Sequence, residues 1–193
     1  CETYRTNLNP ENPDSVICED IRKLNIQALT PIDALAFGFP CNDFSLVGEQ
    51  KGIEGNFGPL YTYGVKTLKH HQPKWFLAEN VGGLRSSNNG ETFKLILQEL
   101  RTAGYQVCPH LYRFEDYGVP QARHRIIIIG IRNDIDIKFR VPSPESYEKT
   151  TSAEAIEKPP ILEAAVNHEF TKQSKTVVER LTHILPGQNA FNA

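Results

Sequence analysis

The chain has 193 residues, 39% of them hydrophobic and 23% charged, which fits one ordinary globular domain able to bury a core. Its 21 basic and 23 acidic residues leave a net charge of −2, so any grip on nucleic acid is local or lies outside this chain. No apolar run approaches the ~18 residues of a membrane span, and the polar opening CETYRTNLNP has no signal-peptide core.

Read in order, the chain alternates strand and helix. Ser15 to Cys18 is a short β-prone run that ends at the acidic pair Glu19-Asp20. Ala34 to Phe37 is an apolar strand closing on the turn Gly38-Phe39-Pro40, followed by a Gly- and Pro-rich stretch to Pro59. Leu60 to His71 reads as a helix with Leu60, Tyr63, Val65 and Leu68 roughly on one side. Lys74 to Ala78 is a third strand, ending at Glu79-Asn80. Thr92 to Ala103 places Phe93, Ile96, Leu97 and Leu100 at helical spacing, and Gly104 stops it. Tyr105 to Tyr112 alternates weakly, and Arg125 to Ile131 is apolar throughout, as in a strand buried on both faces. Residues 132–160 are polar and Pro-rich and read as a connection leaving the sheet. Ile161 to Val166 and Thr176 to Leu185 read as short helices. The alternation predicts an α/β domain with a mostly parallel sheet.

Cys1, Cys18, Cys41 and Cys108 show no metal-ligand spacing and suit a reducing compartment. The chain has no Met, hence no initiator, and is read as a piece of a longer protein.

In open parallel sheets, ligands bind beyond the carboxyl ends of the strands. The reactive residue types gather there: Asp20 after the first strand, Cys41 after the second and Glu79 after the third. Gln121, Arg123 and Arg125 lie at the start of the last. Pro40 before Cys41 fixes the turn and presents the thiol. A thiol with the usual pKa of about 8.5 needs a positive neighbour to be an active nucleophile, and the two arginines can provide one. The alternative is a buried, inert cysteine, the common fate of that residue. Cys1, Cys18 and Cys108 are read as structural. Glu79, at an apolar strand end, can serve as a proton donor or merely cap the next segment. Asn80 is read as fixing the turn into Val81-Gly82-Gly83. Arg123 and Arg125 point to one face if the segment is extended, suited to an anion or a carbonyl. His124, and the cluster Lys66, Lys69, His70 and His71, are read as solvated surface.

Taken together, GFPCNDFS (38–45), AENV (78–81) and DYGVPQARHRIIIIGIR (116–132) closely resemble the cytosine C5-specific DNA methyltransferases. EDI (19–21) and GPLY (58–61) fit that family's weaker cofactor motifs. The resemblance implies a Rossmann-like, class I S-adenosylmethionine-dependent fold, incomplete at both ends. Residues 1–132 form the catalytic core without its first cofactor motif. Residues 133–193 form a connection towards a target-recognition domain. It also implies a reaction on double-stranded DNA, in which a cytosine is flipped out of the helix. Cys41 then attacks C6, Glu79 protonates N3, Arg125 holds the base carbonyl and braces Glu79, and Arg123 supports the catalytic loop. Asp20, Ile21, Pro40 and Leu60 would bind the cofactor. Pro40, Asn42, Ser45, Asn80 and Gln121 would line the substrate. Asn42 stands where the family more often has Gln, and Phe57 where it often has Arg. The implied setting is a bacterial or phage restriction–modification system with a cognate endonuclease, hence the cytoplasm, or the nucleus in a eukaryote. Two alternatives stand beside this reading: a tRNA cytosine methyltransferase of the same family, and a silent DNA-binding scaffold.

Overall fold

A computed structural model describes residues 1–8, 11–40, 60–158, 172–185 and 188. The chain divides into two units, Cys1–Thr150 and Thr151–Ala193. Four strands build the sheet of the first: β1 (Ala34–Gly38), β2 (Trp75–Val81), β3 (Tyr105–Arg113) and β4 (His124–Arg132). Their order is β1-β2-β4-β3. β1 and β2 pair in parallel, with Gly38 opposite Glu79. β4 inserts antiparallel between β2 and β3, with Val81 and Tyr112 both opposite Arg125. Three strands thus run one way and β4 runs against them, so the α/β sheet is mixed. The apolar composition of β4 fixes its central place, since it is flanked by strands on both sides, but says nothing about its direction.

Helices α2 (Tyr61–His71) and α3 (Glu91–Thr102) form where the apolar spacing predicts them. They bury Val65, Leu68, Ile96, Leu97 and Leu100 with Phe76, Ala78, Tyr105, Ile126 and Ile128 of the sheet. Fully burying a side chain of this size stabilises the fold by roughly 1.5–3 kcal/mol. In α3 the acidic Glu91 lies in the first turn and Arg101 in the last, each favourable to the helix dipole. Gly104 follows with φ +102°, a left-handed conformation that closes the helix with little strain. The opening residues form α1 (Glu2–Leu8).

Two expectations change. Ser15 to Cys18 is not a strand. The backbone at Val16 is extended, but its N–H donates to Pro13 O and no neighbouring strand pairs with it among the described residues. The stretch read as a polar connection is partly ordered. Residues as far as Thr150 stay with the core unit, and the ring of Tyr147 lies 5.4 Å from that of Tyr117. Tyr117 Oη donates to Pro142 O at 3.1 Å, and Lys149 pairs with Asp116 at 3.1 Å. In the second unit Thr151 caps α4 (Ser152–Glu157) through a reciprocal pair with Glu154. Ser174 caps α5 (Lys175–Thr182). The expected helix at 161–166 lies outside the described residues.

Gly130 sits where β4 passes Phe76, and a Cβ there would lie 1.9 Å from the buried ring. Gly130→Ala should therefore destabilise the protein by about 1–3 kcal/mol through overpacking, read as a lower denaturant midpoint with an unchanged slope.

Candidate active site

Because β4 runs against β2, its first residues arrive at the edge where β1 and β2 end. That places Gly38-Phe39-Pro40, Glu79-Asn80 and Arg125 together. Along β2 the side chains alternate, so Asn80 turns into the core with Phe76 and Ala78, while Glu79 turns to the other face. There Arg125 Nε meets Glu79 Oε1 at 2.9 Å, and Arg125 Nη1 donates to His124 O at 2.8 Å. The Glu79 carboxylate lies over Gly38, 3.5 Å from where a Cβ on that residue would stand.

Asn80 is 2% exposed, and its amide is spent on the backbone. Its Nδ2 donates to Phe39 O at 3.2 Å, and its Oδ1 accepts from Val81 N at 2.8 Å. It therefore ties the exit of β1 to the exit of β2 and holds the chain just before Pro40. This is a different use from direct contact with a substrate. Arg123 and Gln121 are exposed and precede β4. Cys41, Asn42 and Ser45 lie outside the described residues.

Beside β1 is a pocket of about 280 Å³. Phe37, Phe39 and Pro40 line it from the strand and its exit, Leu60 and Tyr63 from the start of α2, and Ile21 from the turn before β1. Three of the four residues expected at the cofactor thus share one mainly apolar wall. Gly64 belongs to the same wall, because a Cβ there would lie 2.3 Å from the Phe37 ring. A glycine in mid-helix signals such a close approach in the sequence itself; Phe37, Tyr63 and Thr67, further lining residues, carry no comparable signal. The fourth expected residue, Asp20, lies in a turn rather than at a strand end. Its carboxylate accepts from Arg22 N at 2.9 Å and pairs with the Arg22 guanidinium at 2.5 Å. Those bonds hold its pKa down to about 2. Of the cluster read as solvated surface, Lys66 lies 4.4 Å over the Tyr63 ring, whereas His71 is half-buried against Ile26 O at 2.8 Å. No group of metal-ligating side chains occurs among the described residues.

Known proteins share this fold. The Dnmt2 methyltransferase of S. pombe superposes with a TM-score of 0.53 over 94% of this chain and 55% of its own, at 16% identity. The likeness gives the fold alone, an α/β domain around a mixed sheet. The chain belongs to the C-5 cytosine-specific DNA methylase family, whose model matches residues 1–191. It is 58% identical to the Type II methyltransferase M.BbvI of Brevibacillus brevis, over all of this chain and 53% of that protein. It is 34% identical to M.NgoFVII of Neisseria gonorrhoeae, over 98% of this chain and 52% of that protein. The chain thus spans about half the length of the curated relatives it matches. No helix among the described residues is long and apolar enough to cross a membrane.

Two outcomes follow from this geometry. Asn80→Ala should cost about 1–3 kcal/mol, because it leaves the Phe39 carbonyl and Val81 N–H without their partner; chemical denaturation reads the loss. Asp20 is the second case. Its lowered pKa contributes stability above the ordinary value of 3.8, which is lost as pH falls through about 2. Carboxyl NMR titration of Arg22→Ala should show Asp20 returning towards 3.8.

Proposed function

We propose that the protein carrying this chain transfers a methyl group from S-adenosylmethionine to C5 of a cytosine in double-stranded DNA. The modification would be site-specific, within a restriction–modification system and in the cytoplasm. The observation that carries this reading is the Glu79–Arg125 pair at the same sheet edge as the Pro40 turn, in a chain of this family.

The apolar pocket suits the cofactor. Ile21 and Phe37 offer flat apolar contact to a purine, and Pro40 and Leu60 border the side nearer the edge. Asp20, ionised and next to Ile21, can accept from an exocyclic amino group once Arg22 shares it. When bound, S-adenosylmethionine supplies an electrophilic methyl group. The chain's own residues do the rest. Pro40 restricts the backbone ahead of Cys41, whose thiolate adds to C6 of the flipped cytosine, so that the electron pair develops at C5. Glu79 donates a hydrogen bond and then a proton at N3, neutralising charge that would otherwise oppose the addition. Arg125, held by the His124 carbonyl, keeps Glu79 in place and offers its remaining N–H groups to the base oxygen. Arg123, one residue before β4, would support the catalytic loop and the anionic backbone of the DNA. Transfer of the methyl to C5 would release the cofactor's sulfur as a neutral thioether. Water would then take the C5 proton, the C5 electrons would expel Cys41 as thiolate, and N3 would return its proton to Glu79, restoring the ring.

The test uses the full-length protein with the cofactor and DNA carrying 5-fluorocytosine, whose fluorine cannot leave and so traps the adduct. A covalent protein–DNA band is expected for the native protein and none for Cys41→Ser. Glu79→Gln should lower kcat on ordinary DNA about 10²- to 10⁴-fold. A band formed only with the matching fluorinated RNA would move the substrate to RNA. No band with either would overturn the enzyme reading.

A further inference from the structure

The loop joining β3 to β4 is closed at its neck by a backbone hydrogen bond and by one carboxylate. Phe114 N donates to Arg123 O at 3.0 Å. Just inside, Glu115 Oε2 accepts from Arg123 N at 3.3 Å, while Glu115 Oε1 meets His124 Nε2 at 2.7 Å. Both oxygens of one side chain therefore hold the two residues that precede Arg125. The contacts continue from there: the His124 carbonyl accepts from Arg125 Nη1 at 2.8 Å, and Arg125 Nε reaches Glu79 at 2.9 Å.

We propose that Glu115 is a positioning residue for the Glu79–Arg125 pair: by fixing Arg123 and His124 it sets where β4 begins and where the Arg125 guanidinium is delivered. An exposed Glu–His pair taken alone contributes little to stability. The value of this one is geometric, because one carboxylate binds the backbone N–H of Arg123 and the ring nitrogen of His124 together. Glu115 also keeps its charge for the task. Its own backbone N–H, then the His124 ring, hold its carboxyl below the usual carboxylate range. The turn that carries it is braced from outside by Tyr117 on Tyr147 and by Asp116 on Lys149. A displacement of Arg125 by about 1 Å can cost ~10²-fold in rate, because the reacting groups must be held in near-attack geometry.

The inference rests on the catalytic reading of Glu79 and Arg125 given above, and the experiment separates the two. In the full-length protein, Glu115→Ala should lower kcat about 10- to 100-fold. KM for S-adenosylmethionine should stay unchanged, and the melting temperature should remain close to native. Glu115→Gln keeps one carbonyl oxygen for one of the two contacts, and its kcat should lie between those of Glu115→Ala and the native protein. His124→Phe removes the ring nitrogen and keeps the ring, so it should lower kcat in the same direction. The double variant Glu115→Ala/His124→Phe should lose no more than the worse single variant, as expected when two changes break one contact. If kcat of Glu115→Ala stays within twofold of native, the proposal is wrong. It is equally wrong if the losses in the double variant multiply. Should Glu115→Ala fail to fold, Glu115→Gln and His124→Phe decide, and native kcat in both overturns the assignment. Cys41→Ser, run alongside on 5-fluorocytosine DNA, tests the underlying reading: an adduct that survives it refutes that reading whatever Glu115 does.

Discussion

A single buried amide organises the working edge of this molecule. Asn80 lies in the core with its Nδ2 on the Phe39 carbonyl and its Oδ1 on the Val81 N–H. A polar side chain in that position is costly unless every bond is made. Here the bonds tie the exits of two parallel strands to each other. Since neighbours on a strand face opposite ways, burying Asn80 turns Glu79 to the other face, over Gly38 and against Arg125. The Asn80 amide and the Glu79 carboxylate thus form one device, in which the first spends its polarity on structure and leaves the second available for chemistry.

The antiparallel insertion of β4 completes that edge. Were β4 parallel to β2, Arg125 would begin at the opposite end of the sheet, far from Glu79. The insertion demands close contact, which Gly130 allows against Phe76. Gly64 plays the corresponding part on α2, letting the helix approach Phe37 near enough to wall the pocket. Gly38 belongs both to that pocket and to the floor beneath Glu79. A ligand in the pocket and a base held by Glu79 would accordingly meet across one residue without a side chain.

Much of this was legible in the sequence, for identifiable reasons. The apolar runs gave three of the four strands and the weak alternation of Tyr105 to Tyr112 the other, and the helical spacing of Val65 with Leu68, and of Ile96, Leu97 and Leu100, gave α2 and α3. Direction was not legible: an apolar run such as Ile126 to Ile129 shows burial on both sides whichever way it points. Ser15 to Cys18 misled because a β-prone run becomes a strand only beside a partner. The Thr151–Glu154 pair before α4 is a capping signature that composition hid inside a polar stretch. The resemblance groups Asp20, Ile21, Pro40 and Leu60 at the cofactor; Ile21, Pro40 and Leu60 line one pocket, while Asp20 pairs with Arg22. Phe37 and Tyr63 were seen only as apolar residues of their elements. Glu115 could not be found at all, because its importance lies in which two backbone positions it reaches. Cys41, the most specific residue in the sequence, lies outside the described residues, and its role rests on the resemblance.

The position of β4 also sets the order in which the protein can fold. Its partners β2 and β3 are both made earlier, yet they never touch each other as neighbours in the sheet; each pairs with β4. On a ribosome, β3 would emerge with no ladder to join, carrying Val107 and Leu111 unprotected until β4 arrives to fill the gap. Trp75 must then find Ile131 across the whole of α3 and β3. Pairings of such separation close slowly, and an unpaired apolar strand held open in the meantime invites association with other chains. Synthesis that stalls before Arg132 should leave an aggregation-prone intermediate, because the strand that delivers Arg125 to the edge is also the one that closes the sheet.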